Sequence, residues 1–123
     1  MEKQEVIKAY FQKLEKRSRD GILELFTPSA VIYSPMYEQQ PNNTSDFFKE
    51  LFSTFSTIRA ELKSVFVNAK NSHSLAAHYT IISMMQSQTL IQFEGVNIFE
   101  LNKETNKIAH LTIIYATVPT FSE

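Results

Sequence analysis

An α+β fold is predicted by two patterns and their order along the chain. In the first half, apolar residues recur at helical spacing: Val6, Ile7, Tyr10, Phe11 and Leu14, then Phe47, Phe48, Leu51, Phe52 and Phe55. From Ile58 onward the pattern changes to the period of two that marks strands. Helices first and a run of antiparallel strands afterwards is the α+β layout. No linker or low-complexity segment interrupts it, and 123 residues suit a single domain, 1–123.

Glu2 to Arg17 reads as the first helix, with Glu2 and Glu5 at its start and Lys13, Lys16 and Arg17 at its end, as the macrodipole favours. Ser18 is placed to cap a short second helix, Arg19 to Phe26, which Pro28 and Ser29 end. Ala30 to Ser34 reads as a short strand stopped by Pro35, followed by a polar loop from Met36 to Asn43. Thr44 or Ser45 is the expected cap of the third helix, with Asp46 in its first turn. Four long strands follow. Leu62 to Ala69 and Leu75 to Met85 are joined by the turn Lys70 to Ser74, and Ser87-Gln88 leads into the strand beginning at Leu90. The polar run Asn102 to Lys107 is the turn into the last strand, which extends to Thr117.

The strand from Leu90 carries the most informative pattern. Ile91, Phe93, Gly95, Asn97, Phe99 and Leu101 share one face, apolar except for Asn97. A buried carboxamide is costly unless a neighbour or a ligand satisfies it. The next strand offers Ala109, Leu111, Ile113 and Tyr115, again apolar with one polar tip. Together they predict a curved antiparallel sheet, of mixed order, whose concave face lines a pocket under three N-terminal helices.

Composition narrows the function classes. Twelve basic and thirteen acidic residues give a net charge of −1, with no basic run, which argues against nucleic-acid and membrane partners. Cysteine is absent, which removes disulfides and thiolate chemistry and fits a cytoplasmic protein. The charged N-terminus does not read as a signal peptide. The three histidines lack metal-ligand spacing, so neither a metal nor another cofactor is expected.

Two stretches, LELFTPSAVIYSP (Leu23 to Pro35) and FEGVNIFELN (Phe93 to Asn102), together with the element order, resemble the cone-shaped, cystatin-like superfamily named for nuclear transport factor two. That superfamily includes ketosteroid isomerases, SnoaL-like polyketide cyclases, scytalone dehydratases and limonene epoxide hydrolases. In ketosteroid isomerases an Asp base works with an oxyanion hole of Tyr and protonated Asp. The resemblance implies that Tyr10 takes the tyrosine's place, Asn97 the place of the protonated Asp, and Ser34, just before Pro35, that of the base. A serine hydroxyl is too weak to abstract a carbon-bound proton unaided. Tyr115 falls where relatives have an aromatic pocket wall, and Asn43 where many have a glycine.

His78 is then the remaining acid–base candidate, on a strand with two similarly apolar faces; beside Ala76, Thr80, Ile82 and Met84 it reaches the pocket only if that face is concave. The candidate catalytic set is Tyr10, Asn97 and His78, with Ser34, Phe93, Phe99, Ile113 and Tyr115 binding the substrate. Asn97 also reads as a purely structural amide, Tyr10 as a core tyrosine and His78 as a rim histidine. Tyr33 and Tyr37 are placed at the pocket mouth. The opposite face, with Val96, Ile98, Ile114, Ala116, Tyr79, Ile81 and Met85, has no helix to cover it and predicts a homodimer. Three functions remain open: an isomerase or cyclase acting on a small, mostly apolar carbonyl compound, a non-catalytic module binding such a molecule, and a dimerisation scaffold with a collapsed cavity.

Overall fold

The computed structural model describes residues 1–35, 43–115 and the backbone of 120–122. Tyr37 and Ala116 lie outside the described residues, as do the loop residues 36–42. The order is α1 (Lys3–Lys16), α2 (Arg19–Leu23), β1 (Phe26–Tyr33), α3 (Thr44–Thr54), β2 (Phe55–Asn68), β3 (Asn71–Met85), β4 (Leu90–Leu101), β5 (Ile108–Tyr115) and β6 (Thr120–Ser122). The sheet runs β1-β5-β4-β3-β2, with β6 paired to the start of β4. It is mixed: β1 lies parallel to β5, and the remaining pairs are antiparallel.

Local chemistry explains the boundaries. The Glu5 carboxylate accepts from the Glu2 N–H at 2.9 Å and closes the start of α1. Arg17, in the left-handed conformation, stops it; its guanidinium donates to the Phe52 carbonyl and lies over the Phe52 ring, tying α1 to α3. Helix α2 ends three residues before its expected limit, and β1 begins at Phe26, so Pro28 and Ser29 belong to a strand. A proline fits there because β1 is an edge strand whose register shifts between Phe26 and Val31. The cap of α3 is neither Thr44 nor Ser45 but Asn43, whose Oδ1 accepts from the Asp46 N–H at 2.8 Å. Asn43 is extended, not left-handed, because the capping geometry requires it.

Phe55 leaves the helix and opens β2, seven residues ahead of the expected strand. Register shifts at Phe55/Thr57 and Leu62/Ser64 bend this long edge strand, which helps curve the sheet. The β2–β3 connection is tighter than expected, because β3 starts at Asn71. The turn into β4 supplies its positive φ from Gln88, and the β4–β5 turn from Asn106. A register shift at Glu100/Leu101 turns Ile108, not Ala109, into the core, while Leu111 and Ile113 follow the expected parity.

The core is aromatic. Tyr10 packs edge-on against Phe11, Phe26, Phe48 and Phe99 with ring centroids 5.0 to 6.3 Å apart. Such ring pairs contribute roughly 0.5–1.5 kcal/mol beyond area burial. Helix α1 thereby seats on the concave face and carries the Tyr10 hydroxyl to the base of the cone. No helix among the described residues is long and apolar enough to cross a membrane.

Candidate functional site

The inner face of the sheet and the helices above it enclose a mostly apolar cavity. The concave region holds about 490 Å³ of non-atom space when its open mouth is counted, but the room inside for solvent-sized occupants is about 40 Å³. That is space for a few waters, not for a steroid. Phe47, Leu51 and Phe55 form the wall on the α3 side, and Phe93 and Ile113 form it on the sheet side.

The polar lining consists of Tyr10, Ser34, Tyr79, Ser83, Asn97 and Tyr115. Among the described lining residues there is no Asp, Glu, His, Lys or Arg. Tyr10, Tyr79 and Asn97 are each 2% exposed and Ser34 is fully buried. The Tyr79 hydroxyl donates to Asn97 Oδ1 at 2.8 Å. Tyr10 has no hydrogen-bond partner among the described residues, so its hydroxyl is available to the cavity. Burial pushes both phenol pKa values well above their ordinary range. Next in size is the electrostatic effect of neighbouring tyrosines, Tyr115 on Tyr10, and Tyr10 and Tyr115 on Tyr79. Both hydroxyls therefore stay protonated at neutral pH and serve as donors rather than bases.

Six of the eight residues singled out in the sequence come together here: Tyr10, Asn97, Ser34, Phe93, Ile113 and Tyr115. Tyr115 packs edge-on to Phe93 at 4.9 Å. Two do not join them. Phe99 is fully buried against Tyr10 and Phe11 and supports the wall from behind. His78 points away from the cavity. It lies opposite Val96 on the convex face and pairs with the Glu94 carboxylate. The β3 register decides this: Leu75, Ala77, Tyr79, Ile81 and Ser83 face inward, and His78 alternates with them. The same register moves Tyr79 and Ile81 off the convex face, where the apolar patch had placed them. Met85 also packs against the core, and Tyr33, half-exposed beside Thr112, lies on the convex side rather than at the pocket mouth.

Tyr79 and Ser83 are the site residues that sequence reasoning missed. Gly95 held the signal for Tyr79. A glycine inside an otherwise apolar strand marks a close approach by a neighbour, and Gly95 is directly opposite Tyr79. A Cβ at Gly95 would lie 2.6 Å from the Tyr79 hydroxyl and 2.9 Å from its Cζ. The missing side chain lets the Tyr79 ring cross β4 and reach Asn97, two residues further along the same face.

Among the described residues no group of three His, Asp or Glu is gathered to hold a metal ion. Two His–Glu pairs, His78–Glu94 and His110–Glu100, lie on the convex face, the second at 3.4 Å.

A family model for the SnoaL-like domain matches residues 7–111. Among solved structures, a Novosphingobium aromaticivorans protein described as a candidate aromatic ring hydroxylase superposes with a TM-score of 0.83 at 19% identity, covering 97% of this chain and 90% of its own. The Δ5-3-ketosteroid isomerase of a Mycobacterium species gives 0.78 at 13% identity, covering 95% of each chain. The RV0760c protein of Mycobacterium tuberculosis, in complex with estradiol-17β-hemisuccinate, gives 0.77 at 15% identity, covering 94% of this chain and 95% of its own. At these identities the likeness establishes the fold alone, a cystatin-like α+β fold. No curated protein matches the sequence significantly.

Proposed function

We propose a binding function for this chain, which belongs to the SnoaL-like domain family: its cone takes a small, mostly apolar molecule with one carbonyl group, held by neutral hydrogen-bond donors. The observation that carries this reading is the polar set at the base of an apolar cavity. Asn97 Oδ1 is occupied by Tyr79, which leaves the Asn97 Nδ2 protons and the Tyr10 hydroxyl for a ligand. Ser34, Phe93, Ile113 and Tyr115 supply the surrounding wall. Two donors on one oxygen polarise a carbonyl, as an oxyanion hole does. Proton abstraction from carbon needs a base as well. The described lining offers none, and His78 is on the other side of the sheet. Recognition without turnover is therefore the preferred reading over isomerase or cyclase chemistry. The steroid ester bound by a neighbour of the same fold supports an apolar ligand class.

The void of about 40 Å³ accommodates a carbonyl and its immediate neighbours. The rest of a ligand enters by displacing wall side chains such as Phe47, Leu51 or Phe55. Titration with acetophenone, followed by amide and methyl NMR shifts, tests the reading. Shifts are expected at Tyr10, Asn97 and Phe93, with affinity falling about tenfold or more in Asn97→Leu, because a lost hydrogen bond and a stranded partner cost roughly 1–3 kcal/mol. Equal binding by wild type and variant, or shifts confined to the convex face, would contradict it.

The convex face supports a second role, a symmetric homodimer. Val31, Ile82 and Ile114 are 54%, 38% and 45% exposed there, beside the partly buried Val96 and Ile98. Ile114→Glu is expected to convert the dimer to monomer in analytical ultracentrifugation; a wild-type protein that sediments as a monomer at high micromolar concentration removes the assignment.

A further inference from the structure

We infer that Tyr79 is a positioning residue that fixes which end of the Asn97 carboxamide faces the cavity, and that it thereby makes the site prefer a ketone to the alcohol of the same shape. The inference rests on the binding reading above and adds its polarity.

A phenol has one proton, and that of Tyr79 goes to Asn97 Oδ1 at 2.8 Å. This pair is buried, with both residues 2% exposed, so bulk water does not compete for the bond. Turning the amide by half a rotation would set Nδ2 against the Tyr79 oxygen. The Tyr79 proton would then need another acceptor, and Asn97 Oδ1 would lose its donor. The observed orientation satisfies both groups and leaves Nδ2, with its two protons, as the end of Asn97 that meets a ligand.

The backbone enforces the arrangement. Tyr79 and Gly95 face each other across β3 and β4, while Asn97 is opposite Ala77, which is small and fully buried. The Tyr79 ring therefore lies across the glycine, and its hydroxyl ends at the amide. Phe11 packs on the ring from α1 with centroids 5.1 Å apart, which holds it in place. A ketone oxygen accepts from Nδ2 directly. An alcohol can accept too, but its own proton then needs an acceptor. One lone pair of Oδ1 is engaged by Tyr79 and the oxygen faces that ring, so Asn97 offers the alcohol proton only a second, poorly placed acceptor position, and the bond the alcohol makes is weaker than the ketone's. An unmatched polar group in an enclosed site is the strongest source of discrimination between such pairs.

Removing the Tyr79 hydroxyl frees the amide to rotate, so that Asn97 can present either its donor or its acceptor end. The test compares acetophenone with 1-phenylethanol in wild type and Tyr79→Phe by NMR titration. Wild type is expected to favour the ketone about fivefold or more, one hydrogen bond's worth, and the variant to bring the ratio close to one. Loss of packing or stability alone would weaken both ligands together and leave the ratio unchanged; that result in a folded variant overturns the inference. Binding of acetophenone by wild type with no preference over the alcohol also overturns it, while leaving the binding reading intact. Failure of both ligands to bind wild type overturns the binding reading, and this inference with it. Should Tyr79→Phe not fold, the wild-type protein decides: a Tyr79 hydroxyl proton resolved in the NMR spectrum, with cross-relaxation to β4, supports the fixed bond, and one exchanging freely with water overturns it.

Discussion

Ser34→Asp should fold best in mild acid and lose stability relative to Ser34→Asn as the pH rises, by about 3 kcal/mol between pH 4 and pH 8. Ser34 is fully buried at the cavity wall, and no Lys, Arg or His lines that cavity among the described residues. A carboxyl placed there has little water and no counter-charge, so burial raises its folded-state pKa above the unfolded value of about 3.9. The sign follows from linkage. Between the two pKa values the folded state holds a proton that the unfolded state has released, so stability falls as pH increases. A rise of about two units corresponds to roughly 3 kcal/mol. Urea unfolding of Ser34→Asp and Ser34→Asn at several pH values gives the measurement, with Asn as the uncharged control of similar size. Parallel pH profiles for the two variants would mean that the carboxylate is well solvated and that the cavity base is wetter than its geometry indicates.

Gly95→Ala has the second large effect, on the site and on the fold together. The added Cβ would sit 2.6 Å from the Tyr79 hydroxyl, 2.9 Å from Cζ and 3.0 Å from the Ile114 carbonyl oxygen. The ring can swing aside, but the carbonyl belongs to the β4–β5 ladder and resists movement. Overpacking of this kind costs about 1–3 kcal/mol, and separating Tyr79 from Asn97 costs about 1–3 kcal/mol when a buried group is stranded. A loss of roughly 2–4 kcal/mol is expected in thermal or urea unfolding. Gly21→Ala is the contrast. Its Cβ would meet the Ser18 Oγ at 2.6 Å and the flexible Lys13 side chain at 3.0 Å. The gain in helix propensity and the disturbed Ser18 cap, each about 1 kcal/mol, nearly cancel. Comparable losses at the two glycines would show that Gly95 has no special relation to Tyr79.

These two substitutions also show what the sequence made legible. The β4 face was readable because its alternation is nearly perfect: Ile91, Phe93, Asn97, Phe99 and Leu101 are all buried, and the single polar residue among them is at the site. Tyr10 was readable because it sits inside a helical stripe and, with Asn97, matches a known pattern. β3 was not, because both of its faces are moderately apolar. Ala76, Thr80 and Ile82 beside His78 resemble Ala77, Tyr79 and Ile81 closely enough that periodicity alone does not choose between them. Pairing chooses. Tyr79 needs the gap at Gly95, and His78 finds Glu94 on the other face. The α2–β1 boundary failed for a related reason: Pro28 reads as a breaker, yet an edge strand with a register shift accommodates it. The Asn43 cap lay one residue before the expected Thr44, since Asn, Ser and Thr cap about equally well and spacing leaves a one-residue ambiguity.

The proposed binding depends on one contact, a carbonyl oxygen held by the neutral donors at the base of the cone. Infrared difference spectroscopy of acetophenone, labelled with carbon-13 at its carbonyl, reads that contact directly in the wild-type complex and in whatever complex Asn97→Leu forms. Donation from Asn97 Nδ2 and Tyr10 predicts a carbonyl stretch lowered relative to acetophenone in an apolar solvent, moving back towards the solvent value in Asn97→Leu. A bound carbonyl whose stretch matches the apolar solvent in wild type would contradict the account, and would place the ligand elsewhere or in another orientation.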